Sequence, residues 1–211
     1  MSNTNKVSLV IPREGDFEPS AIPFGCVTGE GVPNYDEDGF EYSASIILSK
    51  KAKKDVLETV MNHWEKNKPE GAGDEPDNFD NIVRETEDGE NILYSKTQTH
   101  FGSKENKVTI VNHLQEKLDP EEFGNIGAGS EGRLAVKMGI YTQGKGSKMK
   151  AGISMYLSAV KLTKFVPYEG SDGASAFGEG DSGDVDSKHG FKSETKAEKK
   201  PKKNKKKKKK K

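Results

Sequence analysis

At 211 residues the chain has room for one ordinary domain with extensions. Hydrophobic residues make up 31% and charged residues 32%, with Lys plus Arg and Asp plus Glu balanced at 34 each; part of the chain therefore lacks the apolar surface to fold, and a generally basic nucleic-acid-coating protein is excluded. The lone Cys26 excludes an intrachain disulfide, four scattered histidines leave no zinc spacing, and neither a signal core nor a run of ~20 apolar residues occurs, so a reducing cytoplasm and no membrane are expected.

Val7 to Ile11 is a short apolar run that suits an edge strand. Ala21 to Thr28, with Phe24 and Val27, suits a first barrel strand, and Gly29 to Gly39 is a loop of turn formers. Phe40 to Leu48 alternates, with Phe40, Tyr42, Ala44, Ile46 and Leu48 on one face and Ser43 and Ser45 on the other. Lys50 to Asn67 carries Val56, Leu57, Val60, Met61 and Trp64 at three- and four-residue steps, which predicts an amphipathic helix. Ser49 is its candidate N-cap, and Pro69 and Gly71 end it. Trp64 is expected to anchor the helix rather than stack a base. The acidic stretch 70–90 lacks the spacing of a calcium loop and is expected to be a solvated loop.

Ile92 to Phe101 predicts a strand with Ile92, Tyr94, Lys96, Gln98 and His100 on one face and Leu93, Ser95, Thr97, Thr99 and Phe101 on the other. Lys107 to Asn112 is its expected hairpin partner. The clearest alternation lies between Arg133 and Tyr141: Leu134, Val136, Met138 and Ile140 point one way, and Arg133, Lys137 and Tyr141 the other. A loop with Lys145, Lys148 and Lys150 follows. The last strand is Gly152 to Val166, where Ile153, Met155 and Leu157 alternate with Ser154, Tyr156 and Ser158. Its phase blurs at Ala159 to Leu162, as a bulge would cause. From Glu169 onward there are 14 Lys against 8 acidic residues, so the first 168 residues carry the compensating negative surplus. Residues 169–187 form an acidic Gly/Ser-rich linker and 188–211 a Lys-rich tail ending in seven lysines, and both are expected to be disordered.

About five strands with one inserted helix, and no alternating βα units, predict a mainly β fold: a five-stranded antiparallel OB-type barrel over residues 1–168. Cations and aromatic rings alternating on a wet strand face suit single-stranded nucleic acid, whose phosphates need neutralising and whose bases can stack. On that ground Arg133, Lys137, Lys96, Lys148 and Lys150 are the candidate phosphate contacts, and Tyr94, Tyr141 and Tyr156 the candidate stacking rings. The same residues on any strand could be solubilising only.

The segments GAGSEGRLAVKMGIY and KAGISMYLSAVKLTKFVPYEG resemble the C-terminal half of the OB domain of replicative single-stranded-DNA-binding proteins from short-tailed bacteriophages. The matching residues are Gly127, Ala128, Gly129 and Ser130, then Leu157, Ser158, Ala159, Val160 and Leu162, and the similarity in order spans 20–168. It implies a non-enzymatic protein that coats single-stranded DNA in replication, recombination and repair, in the cytoplasm of an infected bacterium. It also implies a homodimer that contacts the phage DNA polymerase and helicase. The basic end departs from that family's acidic, aromatic-tipped tail, which puts the tail-mediated contacts in doubt. No cofactor or metal is expected. The competing classes are an RNA-binding or structural phage protein and a magnesium-dependent nuclease using the 70–90 carboxylates. The histidines and Cys26 form no catalytic motif.

Overall fold

The computed structural model describes residues 6–16, 18–34, 39–119, 125–144 and 148–168. The expected linker and tail, 169–187 and 188–211, lie outside the described residues, as does Lys145. The elements are β1 (Val7–Ile11), β2 (Ser20–Ile22), β3 (Phe24–Cys26), β4 (Val32–Pro33), β5 (Phe40–Leu48), α1 (Lys50–Asn67), α2 (Phe79–Ile82), β6 (Val83–Glu85), β7 (Asn91–Gln98), β8 (His100–Phe101), β9 (Lys104–Glu105), β10 (Thr109–Val111), β11 (Ser130–Gln143) and β12 (Lys150–Lys164).

The fold is mainly β, but five strands are too few. Ten strands share one sheet, whose main order is β1-β11-β12-β7-β5-β3, an open path rather than a ring, and β8 and β9 form a separate hairpin. Two pairings, β12 with β7 and β12 with β10, are parallel, so the sheet is not purely antiparallel. The long β11–β12 ladder is its spine. The blurred phase of β12 is a bulge: Ala135 faces Ala159 while Val136 faces Leu157, leaving Ser158 over. Leu134, Val136, Met138, Ile153, Leu157 and Val160 all turn into one core with Ile46 and Leu93.

Helix α1 covers that core with Val56, Val60 and Trp64. Ser49 caps it by accepting from the Ala52 amide at 3.1 Å. Trp64 is fully buried and donates its indole N–H to the Gly73 carbonyl at 3.2 Å, as an anchor should.

Three expectations are corrected. KVTIVN is not the partner of β7: Thr109–Val111 runs parallel to β12, with Ile110 buried opposite Val160. The 70–90 stretch is not merely solvated, because Ile82 and Val83 enter the core. Its Asp77 and Asn78 also complete the edge of β12: Asp77 Oδ2 accepts from the Ala151 amide at 2.6 Å, and Asn78 bonds both the N–H and the C=O of Ile153, at 2.9 and 2.8 Å. A side-chain amide there does the work of a neighbouring strand.

The third correction is Phe101. Period-two alternation puts it on the face of Leu93, Ser95, Thr97 and Thr99, all buried; it is 49% exposed. The bonding to β5 carries on only as far as Thr99, which donates its N–H to the Phe40 carbonyl at 2.9 Å, and Asn106 ties the returning chain to Thr97 and Gln98. The chain then turns through Gly102 at φ +61°, a conformation glycine adopts without penalty.

Candidate nucleic-acid interface

In a sheet, directly opposed residues share a face. Ser8 opposes Lys137, Lys137 opposes Tyr156, Tyr156 opposes Lys96, and Lys96 opposes Ser43. These five side chains therefore cross the sheet as one row on the face away from the core. Tyr156 stands in the middle with a lysine on either side. The face of Lys96 and the face of Lys137 are one.

Two adjoining recesses run past this row. One of about 770 Å³ is bordered by Lys96, Gln98, Phe101, Tyr141, Gln143 and Tyr156. A smaller one of about 230 Å³ adds Tyr94 and Asn78. Together they make a shallow trough with three tyrosines around it. Lys150 begins β12 directly across from Gln143, at the rim, and Lys148 is exposed just before it.

Two glycines make room for the rings. A Cβ on Gly152 would lie 2.5 Å from the Tyr141 hydroxyl, and one on Gly139 would lie 3.0 Å from Tyr156 Cε2. Above Tyr156, Lys6 Nζ sits 4.6 Å from the ring centroid, a cation–π distance. Burial pushes the Tyr141 hydroxyl above its ordinary pKa, and the Asp77 carboxylate adds to the rise. Burial also raises Tyr94, with Glu41 adding and a hydrogen bond with Ser43 opposing.

Glu41 is the residue sequence reasoning missed. Its side chain is buried, and it receives Lys96 Nζ at 2.9 Å and the Tyr94 hydroxyl at 3.2 Å. The pair fixes Lys96 and Tyr94 in place but commits much of the Lys96 charge to a carboxylate. Losing Lys96 would leave a buried carboxylate unpaired, so its role is in part structural. Lys6 and Phe101 were missed too. Lys6 precedes the first predicted strand, and Phe101 has the spacing of a core residue.

Arg133 does not join the others. It lies on the same strand face, but well away from Tyr141. Its Nη2 donates to the Asp16 carbonyl, and its Nε is buried without a partner among the described residues. Of the eight candidates, the trough gathers Tyr94, Lys96, Tyr141 and Tyr156, with Lys137 beside it and Lys148 and Lys150 at its end. Among the described residues no group of three or more His, Cys, Asp or Glu side chains is arranged to hold a metal ion.

No family model matches the chain, and no curated protein matches it. Among solved structures it is similar to gp2.5, a single-stranded DNA binding protein encoded by bacteriophage T7, at 17% identity and a TM-score of 0.47, over 86% of this chain and 98% of that one. It is similar also to the single-stranded DNA-binding protein of bacteriophage Enc34 in complex with ssDNA, at 12% identity and a TM-score of 0.42, over 80% and 94% of the two chains. A C-terminal truncation of the Enc34 protein gives 12% and 0.43, over 76% and 86%.

Proposed function

We propose that the chain binds single-stranded DNA regardless of sequence, holding phosphates with lysines and stacking bases on tyrosines. The observation that carries this is Tyr156, a half-buried ring between Lys137 and Lys96; Lys6, on a long adaptable stem over its face, swings aside for a base and stays at hand for its phosphate. A ring offers any base the same surface, so stacking tolerates every sequence. Duplex DNA hides its base faces, so preference for single strands follows from the rings rather than from charge. Binding of this kind needs no bond-making step.

An OB-type closure of the sheet is part of the same proposal. The stretch 20–26 supports it, since Ser20–Ile22 pairs with β11 and Phe24–Cys26 with β5, linking regions far apart in the pairing order. The resemblance in sequence adds the setting: coating of DNA in phage replication, recombination and repair, in the cytoplasm of an infected bacterium. A homodimer and contacts with polymerase and helicase belong to that setting.

The test is fluorescence anisotropy with labelled oligo-dT, a mixed-sequence single strand and the matched duplex, at two salt concentrations. Similar affinity for both single strands, weaker duplex binding and a fall with salt are expected. Equal affinity for single strand and duplex would refute the stacking mechanism.

A further inference from the structure

Phe101 is the most exposed of the Phe, Tyr and Trp rings among the described residues, and it borders the same recess as Tyr141 and Tyr156. Its exposure is not slack in the chain. The hairpin β8–β9 that carries it is fastened at its base by five hydrogen bonds among the described residues: Thr99 N–H and Oγ1–H to the Phe40 carbonyl at 2.9 and 3.1 Å, Asn106 N–H to the Thr99 carbonyl at 2.7 Å, and the Asn106 amide to Thr97 Oγ1 at 3.1 Å and to the Gln98 carbonyl at 2.8 Å. Directly across the hairpin from Phe101 stands Lys104, which is also exposed. A rigid mount therefore holds a bare ring and a cation together at the end of the trough. The pairing repeats that of Tyr156 with Lys137.

We propose that Phe101 and Lys104 form an outer station of the binding track, where an unpaired base leaving the trough stacks on the ring and its phosphate meets the ammonium. This rests on the single-strand reading above and extends it to the length of strand held. A phenyl ring has no hydrogen-bonding group, so it takes any base, in keeping with indifference to sequence.

The experiment measures anisotropy for the full chain and its Phe101→Ala, Phe101→Trp and Lys104→Ala variants against oligo-dT of increasing length. For the wild type, affinity should rise again once the oligomer is long enough to reach the hairpin. Phe101→Ala should match wild type on the shortest oligomers that bind and lose about 5- to 150-fold on the longer ones. Phe101→Trp should restore the loss, and Lys104→Ala should shrink the salt slope by about 0.7 only on the longer oligomers. The exposed positions leave thermal midpoints unchanged, so a folding defect is separable. If the wild type binds but Phe101→Ala equals it at every length, this inference falls alone. If the wild type holds no single strand of any length, the parent reading falls with it.

Discussion

Two cations leave the outer face of β11 four positions apart, and their surroundings divide the molecule into two regions. Lys137 is exposed beside Tyr156, next to the trough. Arg133 is drawn down to the Asp16 carbonyl. The loop that presents Asp16 is itself clamped: Asp16 Oδ2 accepts from the Arg13 amide at 3.1 Å, and the Arg13 guanidinium donates to the Asp55 carbonyl of α1 at 3.1 Å. One region is built around open charge and rings; the other uses the same kinds of charge to fasten a loop between helix and sheet. An alternating pattern says which face a cation occupies, and the neighbours decide what it does there.

Exchanging the two losses is the strongest way to break this division. Tyr156→Leu should weaken oligo-dT binding by about 1–3 kcal/mol, roughly one stacked base, while the urea midpoint moves little, since the aliphatic side chain keeps most of the buried contact but offers no ring. Arg133→Ala should do the reverse, lowering stability by about 1–3 kcal/mol through the lost charged hydrogen bond and leaving the affinity of the folded protein intact. Binding titrations and urea melts on both variants decide it. If Arg133→Ala weakened binding at unchanged stability, the two regions would be one.

Acid should separate them next. His63 on α1 is buried; Asn67 Nδ2 lies 3.2 Å from its Nδ1, and its Nε2 has no partner among the described residues. Burial lowers its pKa below the ordinary value near 6.5. A group whose folded pKa is depressed in this way favours folding while it is neutral. That contribution is complete above about 6.5 and is lost as pH falls toward the lowered value, because the unfolded chain binds the proton first. Urea midpoints measured from pH 7.5 to 5 should decline for wild type and flatten for His63→Phe. An equal decline in both would assign the acid sensitivity elsewhere.

The sequence made one side of this division more legible than the other. Helix α1 was readable to the residue, since its apolar spacing, Ser49 and Pro69 all agree. The core face of β11 was readable because Leu134, Val136, Met138 and Ile140 alternate without a break. The gathering of Tyr94, Lys96 and Tyr156 was not, because it depends on β12 pairing with β7 in parallel across a long stretch of intervening chain. Glu41 was hidden for a related reason: its partners Lys96 and Tyr94 are distant in sequence, and a lone glutamate in a strand carries no signal. Phe101 obeys the two-residue period and was misplaced by it, although Gly102 and Asn106 beside it marked the break. Residues 107–112 follow β7 closely in the chain, and that proximity hides their true partner: the apolar Ile110 is buried against β12.

A smaller effect concerns charge alone. Lys137→Ala should reduce the slope of log affinity against log salt by about 0.7, the share of one phosphate contact on a single strand. Arg133→Ala should leave that slope unchanged. Deleting 188–211 should flatten the slope by several such steps if the tail lysines add contacts of their own, and the loss of Lys137 should then remain visible on the shortened chain. Titrations at four salt concentrations measure all three.

The finest test is of ring position rather than ring presence. Gly139 lies diagonally behind Tyr156, and a methyl there would come within 3.0 Å of Cε2. That is tighter than ordinary packing by a few tenths of an ångström, so the ring must slide if Gly139→Ala is to fold. It has somewhere to go, since Tyr156 borders the open recess and Lys6 Nζ is on a long, adaptable stem. Stability should therefore hold, while a ring displaced from the line between Lys137 and Lys96 stacks less well. The expected loss is a fraction of a stacked base, about two- to fivefold in oligo-dT affinity. Gly139→Ala binding as wild type would mean that the ring's exact seat is immaterial and only its presence counts.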